Sequence, residues 1–150
     1  GSNLYAGEFS LMVSSNLENG RRQFLGDELS VPSLVEKVKQ QLNLEKLTGE
    51  SMMEIVKSGN SEANKIYGEY INCVVNSLIS LQFIFSPEKI VLGGGISQDD
   101  YFIESIIQNY AIFFKTIPLP KGLKHAEITR CRFANDANLI GAFINYQTKK

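Results

Sequence analysis

The sequence predicts an α/β protein with a largely parallel sheet, and three observations carry that reading. Apolar residues recur at three- and four-residue steps through long stretches, as on one face of a helix. Short apolar runs of strand type lie between those stretches. A glycine-rich turn joins one such run to the next helical stretch, and strands alternating with helices favour a parallel arrangement.

The elements follow in order. From Ala6 to Val13, Phe9, Leu11 and Val13 alternate with Glu8, Ser10 and Met12, the period of a strand or its entry. Ser15 to Asp27 is polar, carries Gly20 and Gly26, and reads as a loop with room for a short hairpin. Ser30 is placed to cap a helix with Pro32 in its first turn, where a missing N–H is harmless, and Leu34, Val35, Val38 and Leu42 follow at helical spacing. A short helix begins at Thr48 or Ser51 and stops at Ser58-Gly59-Asn60. The longest helix runs from Ser61 to Phe85, with Ile66, Tyr67, Tyr70, Ile71, Val74, Leu78, Leu81 and Phe85 on its stripe. Ser86-Pro87 ends it, because the residue before a proline is pushed out of helical space. Lys89 to Leu92 has the signature of a short buried strand and leads into Gly93-Gly94-Gly95. Ser97 is the expected cap of a further helix, with Asp99 and Asp100 in its first turn and Ile103, Ile106, Ile107, Tyr110, Phe113 and Phe114 along its stripe. Pro118 and Pro120 interrupt. Glu127 to Phe133 reads as a strand, and Asn135-Asp136 opens a last helix through Leu139, Ile140, Phe143 and Tyr146. Three strands make a sheet with an edge to cover.

Composition excludes more than it selects. The 150 residues suffice for one domain with a core of its own, and 43% of them are hydrophobic and 21% charged. A net charge of −1 argues against a basic nucleic-acid surface and against polybasic membrane binding. No apolar run approaches the ~20 residues that span a bilayer, and there is no signal-peptide pattern, so a cytoplasmic protein is expected. Cys73 and Cys131 form no C-x-x-C and read as small buried hydrophobes. With His125 the only histidine, the chain offers no zinc-type ligand spacing and no local support for a Ser-His-Asp triad.

Two features carry chemistry. The strand–Gly93-Gly94-Gly95–Ser97–helix unit lies where open α/β sheets bind ligands, beyond the carboxyl end of a strand. Glycines there admit a ligand close to the backbone, and the following helix start offers N–H groups. The pattern is neither G-x-x-x-x-G-K-[ST] nor G-x-G-x-x-G, and on spacing alone it reads equally as a tight turn without a ligand. Glu8, after Ala6-Gly7, has the paired acceptors that a sugar's hydroxyls require; from pattern alone it reads as a solvated strand-edge carboxylate.

Three segments together go further. Leu4-Tyr5-Ala6-Gly7-Glu8-Phe9, Pro87-Glu88-Lys89-Ile90-Val91-Leu92-Gly93-Gly94-Gly95-Ile96-Ser97 and Asn135-Asp136-Ala137-Asn138-Leu139-Ile140-Gly141-Ala142, with Ser30-Val31-Pro32-Ser33-Leu34 between, resemble the C-terminal half of the ROK family (repressors, open reading frames, kinases). The resemblance implies a ribonuclease-H-like, actin-like ATPase half-domain, a partial sheet flanked by helices and truncated at its N-terminus, with residues 1–150 as the C-terminal domain of a sugar kinase. It implies that Glu8 contacts sugar hydroxyls and that Gly93, Gly94 and Gly95 lie against the adenosine of ATP. Mg²⁺ would neutralise charge during phosphoryl transfer, and a carboxylate would take the proton of the sugar hydroxyl.

The departures are equally specific. The family's catalytic aspartate and phosphate loops have no counterpart here, so the chain holds no catalytic residue and would be inactive alone. Asp136 belongs to the entry of the last helix, where a capping role accounts for it. The family's histidine three residues after the glutamate is Leu11, and its zinc-binding segment, falling between Val13 and Ser30, contains no cysteine, so no zinc is expected. A second sugar-contacting glutamate has no match, since Glu28 is near but out of register. Three readings follow: a kinase acting on a hexose or hexose glycoside, the effector domain of a sugar-responsive repressor, or a non-catalytic association module whose long helix serves dimerisation. The intact glycine turn favours the kinase over the repressor. Tyr67, Tyr70 and Phe85 give more apolar surface than a three-stranded sheet covers, which together with the resemblance points to a homodimer. Gly1-Ser2 reads as a cloning remnant.

Overall fold

The computed structural model describes residues 7–16, 20–118, 123–133 and 136–148. The chain divides into two compact units, Gly1–Val74 and Val75–Lys150.

The first unit is mainly helical. A one-turn 3₁₀ helix, Phe9–Leu11, precedes strand β1 (Val13–Asn16), which pairs antiparallel with β2 (Arg22–Phe24). Helices α1 (Leu25–Leu29), α2 (Val31–Gln41) and α3 (Gly49–Lys57) follow, and α4 (Ser61–Phe85) begins in this unit. Local chemistry accounts for the boundaries. Ser30 Oγ accepts from the Ser33 N–H at 3.2 Å and caps α2, with Pro32 in its first turn. Thr48 and Ser51 close a reciprocal capping box on α3. Asn43, with φ of 51°, turns the chain out of α2, a conformation asparagine tolerates better than most residues. The core of the unit is Leu34, Val38, Met52, Met53, Val56, Ala63, Tyr67, Tyr70, Ile71 and Val74.

The strand expected over Ala6–Val13 is thus not the one formed. Ala6 lies outside the described residues; Glu8 accepts from the Ser10 N–H, which winds Phe9–Leu11 into a 3₁₀ turn and delays the strand to Val13. The hairpin expected within the Ser15–Asp27 loop is present, with its first strand starting at Val13 and a short helix, α1, appended.

The second unit contains the end of α4, β3 (Lys89–Leu92), a 3₁₀ turn at Gly95–Gln98, α5 (Asp100–Thr116), β4 (Glu127–Arg130) and α6 (Ala137–Thr148). Strands β3 and β4 are parallel and in register from Lys89–Glu127 to Leu92–Arg130. Ser86, with φ of 47°, ends α4 before Pro87. The predicted strand over Glu127–Phe133 stops at Arg130, because pairing runs out where β3 gives way to the glycines. Val91, expected in a buried strand, is 53% exposed, since a two-stranded sheet leaves part of each face uncovered. Ile107, expected on the apolar stripe of α5, is also exposed, while Ile103, Ile106 and Tyr110 are buried. The predicted opening residue Asn135 lies outside the described residues.

Tyr67 and Tyr70, read above as spare apolar surface, are buried in the first unit; of the three residues named, Phe85 alone is exposed. The Tyr70 hydroxyl donates to the Leu29 carbonyl at 2.9 Å, and burial pushes its pKa up to about 12.

A buried polar junction organises the second unit. Gln82, only 4% exposed, accepts through Oε1 from the Tyr110 hydroxyl at 3.1 Å and from the Ala126 N–H at 2.8 Å. One side chain on α4 thereby fixes α5 and the residue just before β4. Replacing Gln82 with leucine strands two buried donors, and the expected loss of stability is about 2–4 kcal/mol in urea denaturation. A loss under about 0.5 kcal/mol would show that the junction does not hold the unit.

Candidate functional site

Glu8 and the glycine turn belong to different units, and each is built locally. Glu8 is exposed at the N-cap of the 3₁₀ turn Phe9–Leu11. Its Oε1 accepts from the Ser10 backbone N–H at 3.2 Å and from the Ser10 hydroxyl. These bonds favour the charged form, the hydroxyl foremost, and hold the carboxyl below the ordinary glutamate range. Among the described residues, both hydrogen bonds fall on Oε1. What was read as a strand-edge carboxylate is therefore an oriented anion at a turn.

The turn after β3 depends on Gly94. Its φ of +88° and ψ of 170° lie in a region that is essentially glycine-only. A Cβ there would meet nothing within 4 Å, so the residue faces open space. Gly93 and Gly95 on either side are exposed. Ser97, predicted to cap the following helix, does not do so. It is fully buried, and its hydroxyl donates to the Gly94 carbonyl at 2.7 Å, locking the turn from within. A 3₁₀ turn intervenes, and Asp99 caps α5 by accepting from the Phe102 N–H at 3.2 Å. Spacing alone could not separate Ser97 from Asp99, since both precede the apolar stripe and both are good caps.

One charged pair beside this turn was not singled out in the sequence. Arg130, opposite Leu92 at the end of the parallel register, is ion-paired with Asp100 in the first turn of α5. The Cys131 N–H donates to the Leu92 carbonyl at 2.7 Å, so the last ladder bond closes next to Gly93. Strand register, which no periodicity reports, is what brings Arg130 there.

Within the first unit a cavity of about 280 Å³ is lined by Glu28, Lys37, Glu69, Tyr70 and Cys73 among others. The Cys73 thiol donates to Glu28 Oε2 at 3.2 Å; burial, then the Glu28 carboxylate, pushes its pKa up to about 11. Glu28 thus serves a thiol on α4. Neither Cys73 nor Cys131 is in a disulfide, and Cys73 is half-buried with a polar partner where a purely apolar role was expected. His125 stacks on Phe114 at 4.5 Å between ring centres and meets Tyr110 edge-on at 5.5 Å. Among the described residues, no three His, Cys, Asp or Glu side chains are grouped to hold a metal ion. No described helix is long and apolar enough to cross a membrane.

Comparison with known proteins agrees with this architecture. Residues 20–149 match the ROK family. A β-glucoside kinase of Klebsiella pneumoniae is 24% identical over 150 residues, an alignment covering 97% of this chain and 48% of the kinase. A β-glucoside kinase of Listeria innocua is 25% identical with the same coverage. The chain spans about half the length of the curated relatives it matches. Among solved structures, a ROK family protein from Streptococcus pneumoniae TIGR4 in complex with sucrose superposes with a TM-score of 0.83 at 23% identity, over 95% of this chain and 48% of that one. A ROK family glucokinase from Streptomyces griseus in complex with glucose and AMPPNP gives 0.75 at 20% identity, over 91% and 50%. The actin-like ATPase half-domain expected from the sequence is the fold observed.

Two outcomes test the local chemistry. Gly94→Ala is expected to lose about 1–3 kcal/mol in urea denaturation, from backbone strain alone. Gly68→Ala, also in open space but inside α4, is expected to gain up to about 1 kcal/mol. Equal responses at the two glycines would refute the strain argument. For Cys73 the folded pKa is raised, so its contribution to stability is full below the unfolded thiol's pKa and fades as pH rises through about 11. In a Cys131→Ser background, thiolate absorbance is expected only in that upper range, and Glu28→Gln should move it to lower pH.

Proposed function

The chain belongs to the ROK family, and on that premise we propose that it is the C-terminal domain of an ATP-dependent sugar kinase. The substrate is a hexose or hexose glycoside, with β-glucosides the first class to test, since the two curated relatives described above are β-glucoside kinases. The observation that carries the reading is the family match over residues 20–149 together with a fold shared along 95% of the chain. The repressor alternative draws no support from these relatives.

In this proposal Glu8 receives the sugar. Its carboxylate is charged at neutral pH and pre-oriented by Ser10, and an ionised acceptor bonds a hydroxyl more strongly than a neutral one does. The nucleotide lies on the turn after β3. The open space at Gly94 and the exposed backbone of Gly93 and Gly95 fit a flat ligand resting against main chain, a place that side chains would fill. Ser97 keeps that turn rigid, and Arg130 with Asp100 ties the end of β4 to the start of α5 beside it. Mg-ATP supplies the phosphoryl group and the charge neutralisation its transfer needs. The carboxylate that accepts the sugar's proton is contributed from outside this chain. No zinc takes part in this reading, because the segment between Val13 and Ser30 contains no cysteine. The protein acts in the cytoplasm as a homodimer, for which the exposed Phe83, Ile84 and Phe85 at the end of α4 offer apolar surface.

The deciding experiment is a coupled ADP-release assay on the full-length protein, with Mg-ATP against hexoses, amino sugars and β-glucosides. Turnover with one class is expected. No turnover, with a sugar still raising Tm, would replace the kinase reading with a sensor. In the active protein Glu8→Gln is expected to raise KM for the sugar by about 10- to 100-fold, the worth of a hydrogen bond to a charged group, with KM for ATP unchanged.

A further inference from the structure

Helix α1 and the turn that carries Glu8 approach each other more closely than side chains normally permit. A Cβ built on Gly26 would fall 2.9 Å from Ser10 Cβ, 3.1 Å from Ser10 O and 3.3 Å from Ser10 Cα. None of these is the far end of a flexible side chain, so a larger residue at 26 must displace Ser10 itself. The approach is pinned alongside by the Leu25 N–H, which donates to the Met12 carbonyl at 2.7 Å. The residue seated in this way is the same one that gives Glu8 Oε1 both of its hydrogen bonds, from N–H and hydroxyl.

We propose that Ser10, seated by Gly26, is the positioning residue of the sugar site: it commits Glu8 Oε1 and leaves Oε2 to receive a ligand hydroxyl. The proposal rests on the reading of Glu8 as a sugar ligand and adds the device that aims it. An exposed glutamate carries two or three freely rotating bonds, and fixing it in advance lowers the entropy lost when a ligand binds. A one-turn 3₁₀ segment has little rigidity of its own. The glycine contact supplies it from the neighbouring helix. Ser10 is exposed, so its hydroxyl contributes no core packing that could account for the arrangement otherwise.

The test uses the full-length protein and two readouts. The first is the titration of the Glu8 side-chain carboxyl, followed by NMR with labelled glutamate, which needs no activity. In the unaltered protein it titrates below the ordinary glutamate range; Ser10→Ala and Gly26→Ala each bring it up. The second is steady-state kinetics. Ser10→Ala is expected to raise KM for the sugar about tenfold while leaving kcat and KM for ATP unchanged, and Gly26→Ala to do the same. Because both act on Glu8 through Ser10, and displacing Ser10 already includes the loss of its hydroxyl bond, the double variant is no worse than the poorer single one. Ser10→Ala leaves the α1 contact in place, so it reports even if Gly26→Ala fails to fold. A Glu8 titration that does not move in Ser10→Ala overturns the proposal whatever the activity. A titration that moves, with KM for the sugar unchanged in Glu8→Gln, upholds the positioning and overturns instead the assignment of Glu8 to the sugar.

Discussion

The second unit depends on one buried oxygen. Gln82 is buried, and its Oε1 takes two protein donors, one from α5 and one from the main chain entering β4. An amide in that position is stable only while both donors stay where they are, because a lost partner leaves a desolvated group unpaired. The Ala126 N–H is thus fixed one residue before the strand. The next N–H, of Glu127, donates to the Glu88 carbonyl at 3.0 Å, and the parallel register of β3 and β4 follows from there. The position of the glycine turn, one residue past Leu92, is a downstream result of that register.

The two candidate ligand groups show different ways of making a site from little material. At Gly94 the backbone itself is the feature: a glycine-only conformation, held by a buried serine, that keeps a patch of main chain bare. At Glu8 the feature is a side chain, and the backbone is its mount. Both use a serine hydroxyl as the fastener, yet in opposite senses. Ser97 donates inward to a carbonyl and is sealed from solvent, whereas Ser10 donates outward to a charge and stays wet.

Sequence reasoning performed best where the signal was periodic and long. The limits of α4 at Ser61 and Phe85, the cap of α2 at Ser30 and the strand over Lys89–Leu92 were all legible, because apolar spacing, a capping side chain and a following proline act within a few residues. It failed at Glu8–Leu11, where true alternation of apolar residues was overridden by a carboxylate reaching two residues on to wind a turn. It failed again at Ser97, where two good caps compete and burial decides between them. The site residues themselves were visible as types. What remained hidden was their surroundings: that Ser10 serves Glu8, that Gly26 seats Ser10, and that Arg130 ends beside the glycines. The Gly26–Ser10 contact joins residues distant in sequence and the place of Arg130 is a matter of register, neither of which a local pattern encodes. The Ser10–Glu8 pair is only two residues apart, but it forms in a 3₁₀ turn that the apolar alternation did not predict.

The contact between Gly26 and Ser10 also bears on how this sequence can change over time. A glycine facing another residue's Cβ at 2.9 Å is not free to drift, so position 26 is closed to single-step enlargement while position 10 holds a side chain. Replacing Ser10 by glycine first removes the shortest contact, and those left, at 3.1 and 3.3 Å, ask for a shift of only a few tenths of an ångström. The permitted route is therefore ordered: position 10 must lose its side chain before position 26 can gain one. Lineages descending from this sequence would carry a side chain at one of the two positions or at neither, and seldom at both.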